Sequence, residues 1–396
     1  MDTVEELLTR GIENIIPNKE KLRELLAGGK KLNIYLGIDP TATTIHLGHA
    51  VPLRKLQKFA ELGHHVTFLI GDFTALIGDT SDKDSERPQL TSKQIEQNFQ
   101  TYKSQAEKLL DFSKITVRHN SEWLSKLSYA KIIEIMQHFS AGDFFNRELI
   151  RKRLSESKHV GLHEIMYPVM QGYDSYFMDT DIQLGGTDQT FNMQAGRILQ
   201  KDLRNKESFI IANGFLTGTD GRKMSKTWNN AIWLTDKPND MFGKIMSIQD
   251  TLLEEYFLLA TNVPIGKIEE VKKRLSDGEN PMVLKKELAR TIVKELHGEE
   301  QANEAQQSFE ATFQKQKEPS KDMVTIFHTD KDTVDIVSVL VESGLCKSHS
   351  EARRLIVQKG IDEESICMDN TIVKVENDRI YKIGKKRFLK IQKGAI

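Results

Sequence analysis

The chain has 396 residues and a net charge of −1, from 56 Lys and Arg against 57 Asp and Glu. That length predicts two or three domains, and the balanced charge excludes a global field drawing the protein onto nucleic acid or membrane, so any basic surface must be local. No apolar run approaches the ~20 residues of a membrane span.

The N-terminus, Met1-Asp2-Thr3-Val4-Glu5-Glu6, reads as neither a signal nor a transit peptide. Cys346 and Cys367 give no metal-site spacing, so a reduced, cytoplasmic setting is expected. Residues 1–30 read as two short helices divided by Pro17 and closed by Gly28–Gly29. Strand and helix patterns then alternate: Asn33–Ile38 a strand, His46–Leu62 a helix, His65–Ile70 a second strand. Such alternation predicts an α/β fold with a parallel, Rossmann-like sheet and right-handed crossovers. No G-x-G-x-x-G follows the first strand, which disfavours a dinucleotide fold of the dehydrogenase kind. Ligands of such sheets still bind at the carboxyl ends of strands, where Gly37–Asp39 and Gly71–Asp72 fall.

Between that strand and its helix runs Asp39-Pro40-Thr41-Ala42-Thr43-Thr44-Ile45-His46-Leu47-Gly48-His49. Thr43 and Thr44 are the N-cap candidates. His46 and His49, three apart, share a helix face, and Gly48 between them lets a ligand approach the backbone. Free N–H groups and two imidazoles at a helix start suit a polyphosphate. Taken alone, the match is also what two surface histidines beside a helix glycine look like.

Gly78–Pro88 is too polar for core and reads as a loop carrying Lys83 and Arg87. Ser92–Leu110 and Tyr129–Phe139 are amphipathic helices. The second has a wide apolar face (Ile132, Ile133, Ile135, Met136, Phe139) fit for core or for a subunit interface. Helical spacing puts Tyr167, Gln171 and Asp174 on one face, as in a pocket wall or a polar domain seam. Asp181–Gln189 is a strand ending in Gly185–Gly186 and then Asp188, whose carboxylate can accept from ribose hydroxyls. Gly214–Thr227 is a basic, glycine-rich loop. From Asp240 to about Lys315 the pattern is helical, with Asn280–Pro281 a clear start, and residues 316–322 read as a linker. The remainder combines short helices with β-rich Thr371–Val375 and Arg379–Ile383. From Arg379 onward there are seven Lys and Arg and no acid. With Tyr381 and Phe388 interleaved, this suits an RNA backbone, or a solvated basic terminus.

His46-Leu47-Gly48-His49 followed by Lys223-Met224-Ser225-Lys226 resembles the paired signatures of the class I aminoacyl-tRNA synthetases. The residues between are similar to those of the tyrosyl-tRNA synthetases: Tyr35-x-Gly37-x-Asp39-Pro40-Thr41, Gly78–Asp79, Tyr167-x-x-x-Gln171-x-x-Asp174 and Gly185-Gly186-Thr187-Asp188-Gln189. Leu345–Ile356 resembles the RNA-binding module named after ribosomal protein S-four. The resemblance implies a Rossmann-like catalytic domain at 1–228 with a helical insertion at about 90–165. An α-helical anticodon-side domain at 229–318 and an S-four-type domain at 325–396 would follow.

It also implies roles. Tyr35 and Asp174 would bond the phenol of L-tyrosine. Tyr167, Gln171 and Asp79 would hold its ammonium, with Gln189 near the carboxylate. Gly37, Asp39, Gly186 and Asp188 would line the nucleotide, with Thr41, His46, Gly48 and His49 meeting ATP. Lys83 and Arg87 from one loop, and Lys223, Lys226 and Thr227 from the other, would close on pyrophosphate. The partners implied are ATP with Mg²⁺, tRNA(Tyr) and a second copy of the chain in a homodimer, with no membrane association. No acidic cluster reads as a dedicated metal cage. Two departures stand out: Thr80 and Asp82 replace a usual Pro and Gly, and Thr190 and Phe191 a usual Trp and Gly. The alternatives are the sister tryptophanyl enzyme, a small-molecule nucleotidyltransferase and a catalytically silent RNA-binding paralogue.

Overall fold

The structure, a computed structural model, describes residues 3–41, 43–79, 90–314, 324–358, 360–363, 366–367, 371–375, 379–383 and 387–394. It divides into two compact units, residues 1–306 and 307–396.

The first unit is built on a six-stranded sheet of β1 (Ile12–Ile16), β2 (Asn33–Ile38), β3 (His65–Ile70), β4 (Ile115–His119), β5 (Ile182–Gly186) and β6 (Phe209–Asn213), in the order β1-β6-β5-β2-β3-β4. All neighbours are parallel except β1, which runs antiparallel to β6. The central strands are apolar on both faces: Ile34, Leu36, Phe68, Ile70, Leu184, Ile210 and Ile211 are all buried. Helices on each side of a parallel sheet require that pattern.

Two expectations fail here. Residues 1–30 contain a strand as well as helices at Thr3–Leu7 and Lys19–Ala27. Ile12, Ile15 and Ile16 bond to the free edge of β6, a tertiary pairing that outweighs the local helical pattern. The stretch at about 90–165 is helical at Ser92–Ala106, Tyr129–Met136 and Glu148–Ser155, but it also supplies β4, which pairs with β3.

Helices Leu162–Phe177 and Thr190–Arg204 flank β5 and pack on one another. From Pro238 the unit is helical, through Pro238–Met246, Leu253–Ala260, Ile265–Ser276 and Pro281–His297. Asn280 caps the last of these by accepting from the Met282 N–H at 2.9 Å, as the Asn–Pro pair predicts.

Within the second unit, helices Ile336–Glu342 and His349–Val357 accompany a sheet formed among the described residues by Val324–Thr329, Ile361–Glu363, Ile366–Cys367, Ile380–Ile383 and Arg387–Lys393. Ile336, Val337, Leu340, Ala352, Tyr381, Ile383 and Leu389 form its core. Arg353, Arg354, Lys382 and Arg387 are exposed.

Candidate active site

After β2 the chain proceeds to β3 and β4 on one side, then returns to β5 on the other. The order in which strands are added therefore reverses between β2 and β5, the place where open α/β sheets hold ligands. A cavity of about 690 Å³ opens there. Its walls carry Tyr35, Gly37 and Asp39 from β2 and its exit. Gly186, Asp188 and Gln189 come from the end of β5. Thr41, His46, Gly48, His49, Asp79, Tyr167, Gln171, Asp174, Lys223, Lys226 and Thr227 line the same cavity. Seventeen of the residues expected at the site thus come together in one place, counting Asp39 through Thr227 with Tyr35 and Gly37. Lys83 and Arg87, with Thr80 and Asp82, lie outside the described residues.

The N-cap of the Leu47–Glu61 helix is His46, with φ −106° and ψ 168°, and not Thr43 or Thr44. The reason is tertiary. Buried Gln105 donates to the Thr43 carbonyl at 2.7 Å and accepts from the Ile45 N–H at 2.8 Å. The Leu47 N–H donates to Ile232, and the Leu234 N–H to Ile45, each at 2.9 Å. These bonds hold residues 43–46 out of the helix, so it starts late. The His46 and His49 rings stack at 3.7 Å, and the His46 N–H donates to His49 Nδ1 at 3.3 Å. Burial, helped by His49 and Lys223, lowers the His46 pKa to about 2, so this ring is neutral. A Cβ on Gly48 would stand 3.0 Å from the His46 ring, which is why the stack needs glycine there.

At the opposite end, the Tyr35 hydroxyl donates to Gln183 Oε1 at 3.1 Å, across the register pair Tyr35–Gln183 of β2 and β5. Asp174 is buried and accepts from Trp123 Nε1 at 2.7 Å and Asn120 Nδ2 at 3.1 Å. Burial outweighs those two donors and raises its pKa to about 8. Asn120 also donates to Thr74 Oγ1 at 3.0 Å, Thr74 to Asp39 Oδ1 at 2.8 Å, and the Tyr167 hydroxyl to Asp39 Oδ2 at 2.9 Å. A single network thus fixes Asp174, Asp39 and Tyr167 together. Gly71 makes room for it, since a Cβ there would fall 2.0 Å from Asp39 Oδ1. Gln189 donates to Asp79 Oδ2 at 2.6 Å, with Asn192 bonded to Gln189 at 3.1 Å.

On the third wall, Lys223 Nζ lies 3.5 Å from Asp188 Oδ2 and 3.4 Å from the Phe215 ring centre. Lys226 and Thr227 are exposed at the cavity rim. Asn230, buried behind this loop, bonds to both of its arms.

Sequence reasoning missed Gln105, Asn120, Trp123, Gln183 and Asn230. None belongs to a recognisable spacing, although Gln183 is a polar residue at the centre of an apolar strand, and that mismatch is a usable signal.

The arrangement joins a polar-ended slot, two stacked imidazoles and a basic loop, so it can hold a hydroxyl-bearing small molecule beside a polyphosphate. Residues 27–314 match the family model described as tRNA synthetases class I (W and Y). Tyrosine–tRNA ligase of Idiomarina loihiensis is 41% identical over 387 residues, covering 97% of this chain and 96% of that protein. The Thermotoga maritima tyrosine–tRNA ligase is 38% identical over 393 residues, covering 98% and 97%. Among solved structures, the C-terminally truncated mitochondrial tyrosyl-tRNA synthetase of Aspergillus nidulans aligns with a TM-score of 0.66 at 22% identity, covering 78% of this chain and 94% of that one. The Archaeoglobus fulgidus enzyme complexed with L-tyrosine gives 0.60 at 22%, covering 77% and 100%. These two structural likenesses establish the fold.

Proposed function

We propose a division of labour in this cavity from one premise: the chain belongs to the class I tRNA synthetases (W and Y), and among them to the tyrosine–tRNA ligases. It is an ATP-dependent ligase that activates tyrosine and charges tRNA. In the first step the tyrosine carboxylate attacks the α-phosphorus of ATP. The new O–P bond forms as the bond to the bridging oxygen breaks, and pyrophosphate leaves. The aminoacyl group then passes to the terminal adenosine of tRNA(Tyr), releasing AMP.

No protein nucleophile is needed, so catalysis rests on positioning and on stabilising charge. Tyr35 and Asp174 face the phenol. Tyr167, Gln171 and Asp79 take the ammonium, and Gln189 orients the carboxylate. Gly37, Asp39, Gly186 and Asp188 hold adenosine. Thr41 and the two histidines meet the phosphates, where neutral His46 donates a hydrogen bond without carrying charge. Lys223, Lys226 and Thr227, with Lys83 and Arg87, stabilise the departing pyrophosphate. Mg²⁺ would enter on the ATP phosphates. The observation that carries this reading is the network joining Asp174, Asn120, Thr74, Asp39 and Tyr167. It builds a buried, hydroxyl-reading end beside a phosphate-sized opening.

Three coarser roles complete the proposal. Helices from Pro238 and the basic second unit hold the body of the tRNA. A homodimer forms through the Tyr129–Met136 helix, where Tyr129 is 79% exposed, Ile133 45% and Met136 42%, beside an apolar hollow lined by Phe73, Ile132 and Met166. The enzyme works in the cytoplasm; no helix among the described residues is long and apolar enough to cross a membrane.

The test is exchange of labelled pyrophosphate into ATP with tyrosine, phenylalanine and tryptophan in parallel, for the wild type and Lys226→Ala. Exchange with tyrosine alone is expected, with Lys226→Ala reduced by about 10²–10³ if it acts as one positioned transition-state donor. Equal exchange by the variant refutes the role given to the loop.

A further inference from the structure

We infer that Asn230 divides the 217–230 loop into an anchored arm bearing Lys223 and a swinging arm bearing Lys226 and Thr227. The inference rests on the reading that this loop closes on the phosphates of ATP.

Asn230 is 2% exposed, and its side chain serves both sides of Met224. Its Nδ2 donates to Asp220 Oδ1 at 2.7 Å and to the Lys223 carbonyl at 3.2 Å, with a longer bond to Arg222 at 3.4 Å. Its Oδ1 accepts from the Ser225 N–H at 2.8 Å, and its carbonyl accepts from the Thr219 N–H at 3.1 Å. The arm is also fixed from below: Glu255 accepts from the Thr217 N–H at 2.6 Å, and the Tyr256 hydroxyl donates to the Thr217 carbonyl at 2.7 Å. Gly218 is required at the turn because a Cβ would lie 2.4 Å from the Asn230 amide.

Past Ser225 the pattern changes. The Thr227 N–H donates to Ser225 Oγ and the Asn229 N–H to the Lys226 carbonyl, each at 3.3 Å, so these bonds stay within the segment. The contact crossing to the anchored arm is Arg222 over the Trp228 ring at 4.6 Å. Residues 226–229 can therefore rotate between two fixed ends at Ser225 and Asn230. The Lys223 backbone stays anchored, so its ammonium reaches pyrophosphate by side-chain rotation alone, whereas the Lys226 charge is carried there by the swinging arm.

Asn230→Asp sets a second carboxylate against Asp220 and removes the donor to Lys223, so it should release the anchored arm. A displacement of about 1 Å at a positioned group costs on the order of 100-fold. The expected result is a fall of roughly 10–100-fold in kcat for pyrophosphate exchange at saturating ATP, with faster tryptic cleavage after Arg222 and Lys223. Tyrosine Kd should be unchanged, and Tm should fall because a buried carboxylate now faces Asp220. Adding Asp220→Asn should recover part of the loss by relieving the repulsion. Wild-type kinetics in Asn230→Asp overturn the inference, and so does a loss of tyrosine affinity as large as the loss in kcat, which marks a structural role only. Lys226→Ala separates the two levels. If it is inactive while Asn230→Asp is normal, only the division of the loop fails; if it is fully active, the phosphate reading fails first.

Discussion

Replacing Asp174 by alanine tests the hydroxyl-reading end of the cavity most directly. The side chain is buried and accepts two hydrogen bonds, from the Trp123 indole and the Asn120 amide. Two effects follow and must be separated. The stranded donors cost stability, about 1–3 kcal/mol for each group left without a partner. The substrate phenol loses its bond to Asp174, which holds its proton below pH 8, so the bond joins neutral groups and is worth about 0.5–1.5 kcal/mol. At 1.4 kcal/mol per decade, that second loss is roughly 2–12-fold in the tyrosine-to-phenylalanine ratio of kcat/KM. Tyr35 keeps its own bond to Gln183, so some discrimination survives. The assay is pyrophosphate exchange over a range of tyrosine and phenylalanine concentrations, run below the Tm of the variant. Tyrosine kcat/KM should fall while that of phenylalanine holds or rises. If both fall together and the ratio stays at its wild-type value, Asp174 does not read the hydroxyl.

Asp174 also carries a pH signature. Its folded pKa of about 8 lies above the usual 3.8, so the folded state holds a proton that the unfolded chain has released. Stability from this group is present below pH 4 and is lost as pH rises through 8; the Tm of wild type should fall steadily relative to that of the non-titrating Asp174→Asn over that window, and a constant difference contradicts the buried-acid account. His46, held neutral, should show ring-proton NMR shifts that are flat between about pH 5 and 8, whereas a midpoint near 6.5 would disprove its desolvation. Gly172→Ala should cost about 1–3 kcal/mol in denaturant melts, because a Cβ there meets the Ala195 backbone and side chain at 3.0 Å; an unchanged midpoint means that the two helices can part. Arg387→Gln should weaken tRNA binding, lower its salt slope by about 1, and leave pyrophosphate exchange intact; loss of exchange would place the basic unit in the chemistry.

The sequence made the polar wall legible because its residues sit on regular elements. Tyr167, Gln171 and Asp174 follow helical spacing, and Tyr35, Gly37 and Asp39 end a strand whose bounds the apolar run predicts. The loop lysines were readable by their motif. What stayed hidden was held by partners distant in the chain. The helix start moved to His46 because Gln105, about sixty residues away, bonds the backbone of Thr43 and Ile45 and keeps it out of the helix. β1 exists because β6 has an edge to fill, and Asn120 joins the site only through folding. Local pattern carries no record of such contacts.

The sheet order has a consequence for synthesis. β2 finds β3 almost at once, but its other neighbour, β5, begins 144 residues after β2 ends. At about 5–20 residues per second that gap lasts roughly 7–29 s on the ribosome. Throughout it the emerging half-sheet presents the bare backbone of Ile34, Tyr35 and Leu36, an unpaired edge of the kind that recruits foreign strands. The strand that carries Tyr35 is thus an open edge of the nascent chain until β5 arrives, and a pause near residue 160 would prolong the risk.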